Sequence, residues 1–293
     1  MSTPAENPPL SHDVDTAIRL YMQHWLCTTD TGFIIHPEIP LDTENLNIAD
    51  VGCGTGIWLI DLDRQMSRMG QLHGYDISSA YFPPADELPE NIRFETLDAT
   101  QPPPEDLIDQ YDVVHLGHVG LCIRNEDPTE FLMTCIAMLS AYICPVTCVR
   151  GLTQTEPGGY LCWDELDTGS VQPIHSDPAA SGGHADLLES FGLAWLSSHG
   201  VTTRWIRTLD DTCTRYGLEV VDFKRKPASD ALARPWTMMQ LMANRDYIEN
   251  EIIPMTEAGK FPKGHPTAEG WREMLKNLVR ECQGGVKLLT DIV

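Results

Sequence analysis

Apolar and polar positions along the chain follow two different periods. Between residues 13 and 26, Val14, Ala17, Ile18, Tyr21, Met22 and Trp25 recur at three- and four-residue steps, which predicts an amphipathic helix. Residues 47–62 read NIADVGCGTGIWLIDL. There Ile48, Ala49 and Val51 suit a short buried strand, the glycines suit a bare turn, and Ile57 to Leu62 suit a helix packed on a sheet. Strands are predicted again at 71–77 (QLHGYDI), 91–96, 111–116 (YDVVHL) and 160–163, with a mostly apolar helix over 129–143. Strand and helix alternate, the pattern of a parallel sheet covered on both faces.

The second half is less regular. A Gly/Ser/Pro/Ala loop over 176–183 precedes predicted helices at 185–198 and 205–216, and LEVVDFKR (218–225) reads as a sixth strand after Gly217. Amphipathic stretches follow at 235–250 and 267–282, and GGVKLLTDIV closes the chain as a seventh strand. The expected fold is α/β: a doubly wound, mostly parallel sheet of seven strands, with an N-terminal helix as packing element or lid and a helical insertion before the last strand. Residues 1–12, with three prolines and no apolar period, are expected to form a flexible tail. Residues 13–293 are expected to form one domain: a helical cap (13–46), a ligand-binding core (47–165), then substrate-side helices and C-terminal strands (166–293).

Composition narrows the function. Twenty Lys+Arg against 43 Asp+Glu leave a formal charge of -23, and the longest basic cluster is Lys224 to Lys226. A surface that acidic repels a phosphate backbone, so a nucleic-acid partner is not expected. The opening MSTPAENPPLSHD is polar and lacks the features of a leader, and no stretch is apolar enough to span a bilayer, so the expectation is a cytoplasmic protein with no membrane partner. The nine cysteines form no CxxC pair. Cys144 and Cys148 can share a helix face, but free cysteine behaves as a small hydrophobe, and no metal site is expected.

The glycine loop decides the ligand class. Glycines at 52, 54 and 56 are followed by Ile57 where a dinucleotide fingerprint has its third glycine, and no Gly-Lys-Ser/Thr of a P-loop is present. Asp50 before the loop better suits a ligand without phosphate, whose ammonium group an acid can meet. The motif DVGCGTG, Asp76 at the end of the second strand and LDA at 97–99 together resemble the class I methyltransferases that use S-adenosylmethionine, a Rossmann-like fold. RLYMQHW, FIIHPEI and PGGYLCWDELD resemble a fungal branch of natural-product tailoring enzymes.

That resemblance implies site roles. Asp76 would accept both ribose hydroxyls, with Ile77 beside it, as an acid about 20 residues past a glycine loop does in related folds. Asp98 would accept the adenine amino group next to the Ala99 backbone. Asp50 and Gly52, with Gly54 and Gly56, would hold the methionine end, His115 would lie beside the sulfur, and Tyr21 would reach the cofactor from the N-terminal helix. Simpler readings stand beside these: GCGTG as a tight turn, Asp98 as a turn residue, His115 as a satisfied buried histidine.

For chemistry, His118 just past the fourth strand is the candidate base, because histidine titrates near neutral pH. Asp164 and Glu165 could orient it or the substrate. His24, Trp25 and Trp163 are candidate substrate contacts. The expected function is methyl transfer from S-adenosylmethionine to an oxygen, nitrogen or sulfur of a small-molecule natural product. The alternatives are a methyltransferase-like protein that guides a cyclisation or rearrangement, and a noncatalytic regulator of the same fold.

Overall fold

Four consecutive buried positions, Ile48 to Val51, mark a strand with neighbours on both sides. The computed structural model describes residues 14–43, 45–66, 70–140, 149–152, 157–175, 183–187, 200–261 and 265–293, and in it this strand, β1 (Asn47–Val51), lies at the centre of a sheet. The other strands of that sheet are β2 (Gln71–Asp76), β3 (Ile92–Thr96), β4 (Val113–Gly117), β5 (Val149–Leu152), β6 (Pro157–Asp164) and β8 (Leu218–Val220). Their order among the described residues is β3-β2-β1-β4-β6-β5-β8. β3, β2, β1, β4 and β6 are parallel, and β5 runs antiparallel to both of its neighbours. The chain moves outward from β1 to β3 and then returns to the other side of β1 as β4. The carboxyl ends of β1 and β4 therefore part at a switch point, where open α/β sheets bind ligands.

The period of two sorts side chains between two cores. Ile48 and Val113 pack on one face with Trp58, Leu59 and Leu62 of helix α2 (Ile57–Gln65). Ala49, Val51, Val114 and Leu116 pack on the other with Leu132, Cys135 and Met138 of helix α3 (Thr129–Met138). Asp50 and His115 sit between the residues of the first set, so their side chains share the α2 face. Edge strand β3 buries only Ile92 fully, as its polar neighbours Arg93 and Glu95 anticipate.

Several expectations are corrected beyond β6. The last strand, β10 (Lys287–Ile292), does not join the main sheet; it pairs antiparallel with β7 (Leu166–Ile174) and β9 (Lys226–Pro227) in a second sheet. The reason is that the chain leaves β6 and continues through Glu165 directly into β7, which presents a long edge for the terminal strand. The expected sixth strand is split: 218–220 belong to the first sheet, 226–227 to the second, and 221–225 bridge them. The apolar helix ends at Met138, five residues early, and 205–216 divides into a 3-10 turn (Arg204–Thr208) and a helix (Leu209–Arg215). Cys144 and Cys148, the N-terminal tail and the helix expected beyond Leu187 lie outside the described residues.

The insertion before the last strand comprises helix Ala233–Tyr247, its extension to Glu257, and helix Ala268–Gln283. The last helix begins at Thr267, whose hydroxyl accepts the Gly270 N–H, and buries Trp271, Met274, Leu275 and Leu278 at three- and four-residue steps. Helix α1 (Val14–Thr31) and helix Ala233–Tyr247 pack on the second sheet through Leu26, Cys27, Trp236, Met239, Leu289 and Ile292. Among the described residues no helix is long and apolar enough to cross a membrane, and no group of three His, Cys, Asp or Glu side chains could hold a metal ion.

Candidate active site

The turn from β1 into α2 passes through Gly52, Gly54 and Gly56 at φ of 76°, 52° and 70°. All three lie in the left-handed region that L-residues avoid. The N–H groups of Gly52 and Cys53 donate to the Tyr75 carbonyl (2.7 and 3.0 Å), and the Gly54 N–H donates to Asp76 Oδ2 (2.9 Å). The loop is thus tied to the tip of β2, with a carboxylate at its rim. Gly56 carries a second requirement, since a Cβ there would come within 2.2 Å of Phe94 Cζ. The tight-turn reading and the cradle reading coincide: the turn is what brings Asp76 over the loop.

Asp76 Oδ1 also accepts the Ser78 N–H (3.1 Å), and Ile77 between them is half exposed. Asp98 Oδ1 accepts the N–H and hydroxyl of Thr100 (3.0 and 2.6 Å), so this acid does form a turn, with Ala99 buried beside it.

Below the loop, three ionisable groups stand in a row across adjacent strands. His115 Nδ1 lies 2.7 Å from Asp50 Oδ1 and its Nε2 lies 3.2 Å from Asp164 Oδ2. The imidazole stacks flat on Trp58, centroids 3.9 Å apart and planes within 3°. Trp58 is itself fixed by its ring N–H, which donates to the Ile34 carbonyl (3.0 Å). Burial opposes a charge on His115, but the field of Asp50 and the hydrogen bonds of both acids raise its pKa to about 9.

His118 follows at φ 58°, its N–H donating to the Asp164 carbonyl (2.8 Å). Its Nδ1 is enclosed and has no hydrogen-bond partner among the described residues. Burial lowers the pKa of His118 to about 4, against the pull of Asp164. The expectation of a base titrating near neutrality is therefore corrected: His118 is a neutral imidazole at pH 7. Of the two roles expected for Glu165, orienting His118 or orienting substrate, its contacts lie on the side of His118. Rather than facing substrate, it sits behind the turn and accepts the N–H groups of Val119 (3.0 Å) and Gly120 (3.2 Å) and the Trp163 ring N–H (3.0 Å). Burial raises its pKa to about 7 in spite of those donors.

Asp50, Gly52, Gly54, Trp58, His115, His118, Trp163 and Asp164 line one cavity of ≈ 360 Å³, closed on another side by Gln23, His24 and Cys27 of α1. His24 is anchored to Asp61 of α2 (3.0 Å). The other two residues expected from this helix are not in the cavity. Tyr21 and Trp25 are 46% and 49% exposed, on an outer face they share with Val14 and Ile18. The helix is turned so that its buried residues are Thr16, Arg19, Gln23, Leu26 and Cys27, of which Thr16 donates to Asp246 (3.2 Å) and Gln23 and Cys27 line the cavity. Sequence reasoning missed Trp58 as a site residue, reading it only as part of a packing helix, and missed Gln23 because it assigned the apolar stripe to the inside.

A family model described as a methyltransferase domain matches residues 48–141, from β1 through α3. The N-methyltransferase gliN of Aspergillus fumigatus is 30% identical over 280 residues, which cover 94% of this chain and 92% of that protein. The methyltransferase grgD of a Penicillium species is 35% identical over 137 residues, 44% of this chain and less than half, 41%, of that protein. Phosphoethanolamine N-methyltransferase 2 of Haemonchus contortus, solved with S-adenosyl-L-methionine, is similar at 14% identity and a TM-score of 0.48, covering 100% of this chain and 59% of that one. The cofactor fits the residues present: bare glycines allow close approach, Asp76 stands at the rim for hydroxyl groups, and the acids below the loop suit the cofactor's positive charges. With a relative matched along nearly its whole length and these residues in one cradle, the chain belongs to the S-adenosylmethionine-dependent methyltransferases.

Proposed function

We propose that the protein methylates a nitrogen atom of a small molecule held in the cavity between α1, β4 and β6. The observation that carries this reading is His118, which lines the cavity beside the glycine loop, has its pKa lowered to about 4 by burial, and has an enclosed Nδ1 without a hydrogen-bond partner among the described residues. Similarity to gliN along nearly the full chain supports nitrogen as the atom.

Bound there, the cofactor would supply an electrophilic methyl group, and the chain's part is alignment and exclusion of water. Asp76 would hold the ribose, Ile77 and Ala99 the adenine, with Asp98 shaping the turn next to it. His118 would exchange a hydrogen bond with the acceptor N–H and so aim the nitrogen lone pair. A strong base is unnecessary, because a neutral amine is already a nucleophile. Asp164, its side chain 44% exposed, would stabilise the positive charge that develops on that nitrogen. Trp163 and His24 would bound the acceptor. Glu165 would act indirectly, by holding the turn that carries His118.

The test incubates the protein with S-adenosylmethionine and a panel of amines, phenols and thiols, following S-adenosylhomocysteine and product mass. N-methyl products are expected, with His118→Ala lowering turnover by about 10 to 100-fold while cofactor affinity holds. Methylation of oxygen or sulfur alone would overturn the choice of nitrogen. An isomer of unchanged mass, formed without S-adenosylhomocysteine, would replace methyl transfer by a cyclisation.

A further inference from the structure

The geometry at His115 sets its protonation. A carboxylate only accepts hydrogen bonds, and His115 points one ring nitrogen at Asp50 and the other at Asp164, so both bonds require N–H on both nitrogens. That is the imidazolium form, and the flat stack on the Trp58 face favours the same charge. The raised pKa of about 9 agrees.

The surroundings hold the ring where it is. A Cβ on Gly117 would come within 2.8 Å of His115 Cε1, so the strand end is bare to make room for it. The ionisable neighbours are Asp50 on β1, Asp164 on β6 and His118 in the turn after β4, with His24 and Arg19 of α1 beyond His118. Helix α2 contributes the uncharged Trp58, and the Cys53 thiol of the loop is pushed up by burial and stays neutral.

This cation lines the same cavity as Gly52 and Gly54 of the loop, against which the proposed function puts the methyl donor. The donor's ammonium group can be satisfied by hydrogen bonds to carbonyl oxygens. Its sulfonium offers no N–H and responds only to charge. After transfer the sulfur is a neutral thioether and the rest of the molecule is unchanged. Resting on the proposed cofactor site, we propose that His115 releases its proton to solvent when the sulfonium cofactor binds and keeps it when the thioether product binds, so that the Asp50–His115–Asp164 row distinguishes charged donor from spent product. With the proton gone, two carboxylates and a neutral ring face the sulfonium. With it retained, the row carries one net negative charge instead of two and attracts a cation at the sulfur less strongly.

A unit charge in contact range at a protein-like dielectric moves a neighbouring pKa by about two units. At pH 8 that takes the row from mostly protonated to mostly deprotonated. Calorimetric titration with S-adenosylmethionine and with S-adenosylhomocysteine, each in phosphate and in Tris, counts the protons exchanged. Release of most of one proton is expected with the first ligand and none with the second, and the affinity ratio should shift roughly fivefold toward the sulfonium ligand from pH 7 to pH 8. His115→Asn should abolish both effects. If neither ligand binds, the cofactor site and this role fail together; if both bind with equal proton counts in the wild-type protein, the role of the row alone is overturned.

Discussion

Replacing Gly56 by alanine places two separable costs at one position. At φ 70° an L-residue pays about 1–2 kcal/mol for the left-handed backbone. The new Cβ would also lie 2.2 and 2.5 Å from Phe94 Cζ and Cε1. Phe94 has little room to retreat, since the same ring edge lies so close to Gly74 that a Cβ there would stand 2.3 Å from Cδ1, and Phe82 packs on the ring with centroids 5.4 Å apart. Overpacking of this kind costs about 1–3 kcal/mol, so Gly56→Ala should lose about 2–5 kcal/mol. Gly54→Ala is the internal control. At φ 52°, with Leu20 Cδ1 no nearer than 3.4 Å, it bears the backbone cost alone. Urea unfolding of the two variants, with and without Phe94→Leu, isolates the contact: Phe94→Leu should recover the packing part in the Gly56→Ala background and nothing in the other. If Gly56→Ala is no worse than Gly54→Ala, or Phe94→Leu brings no recovery, the close approach of α2 to β3 is not what requires the third glycine.

Asp76→Ala removes a charged acceptor from two hydroxyls, worth about 1.5–3 kcal/mol, so cofactor affinity measured by calorimetry should fall about 10 to 100-fold in a folded protein. His115 has its folded pKa raised to about 9 from an ordinary 6.5, so its contribution to stability is complete below pH 6.5 and is lost as pH rises through 9. Denaturant unfolding of the cofactor-free protein should show a loss of about 2 kcal/mol between pH 7 and pH 9, absent in His115→Asn. His24→Ala opens the cavity wall and frees Asp61, and should raise the KM for the acceptor; Trp25→Ala, on the outer face of the same helix, should leave that KM unchanged in the same assay.

The parts of the fold that the sequence made legible are those where a local period changes abruptly. From Asn47 to Leu62 the chain passes from a two-residue period through glycines to a helical one, and β1, the loop and α2 appear there as read. β7 escaped notice because Gly169 and Pro173 interrupt it and its burial alternates weakly. The partner of β10 could not be read either, since pairing across more than a hundred residues leaves no local signal. The site divides along the same line. Asp50 and His115 each stand two residues before a glycine near a strand end, and Asp76 and Asp164 close their strands, positions that identify themselves. The charge on His118 depends on burial by elements far away in the chain, and titration near neutrality, the property of a free histidine, was the only value available. Helix α1 shows the limit most clearly. His24 lines the cavity as expected, whereas Tyr21 and Trp25 lie on the outer face and the polar Thr16, Arg19 and Gln23 are buried, because the neighbours that cover those side chains come from elements far along the chain.

The proton lost from His115 on loading bears on the fate of a second proton. When a methyl group moves to an amine nitrogen, the positive charge moves with it, and the methylated nitrogen must shed a proton to become neutral. His118, with a pKa lowered to about 4, is too weak a base to keep it. Asp164 is better placed, because it lines the cavity and bonds directly to His115, whose site would by then be empty of its proton and no longer opposed by a sulfonium. The proton from the acceptor can therefore refill the row, which returns to the state that tolerates the thioether product. This order of events fixes a time course. In rapid mixing of protein and acceptor with S-adenosylmethionine, an indicator dye should report release of a proton before any methylated product forms, and no further release during the first transfer. Proton release that instead rises in step with product would mean that the acceptor discharges to solvent, and that His115 holds its charge throughout.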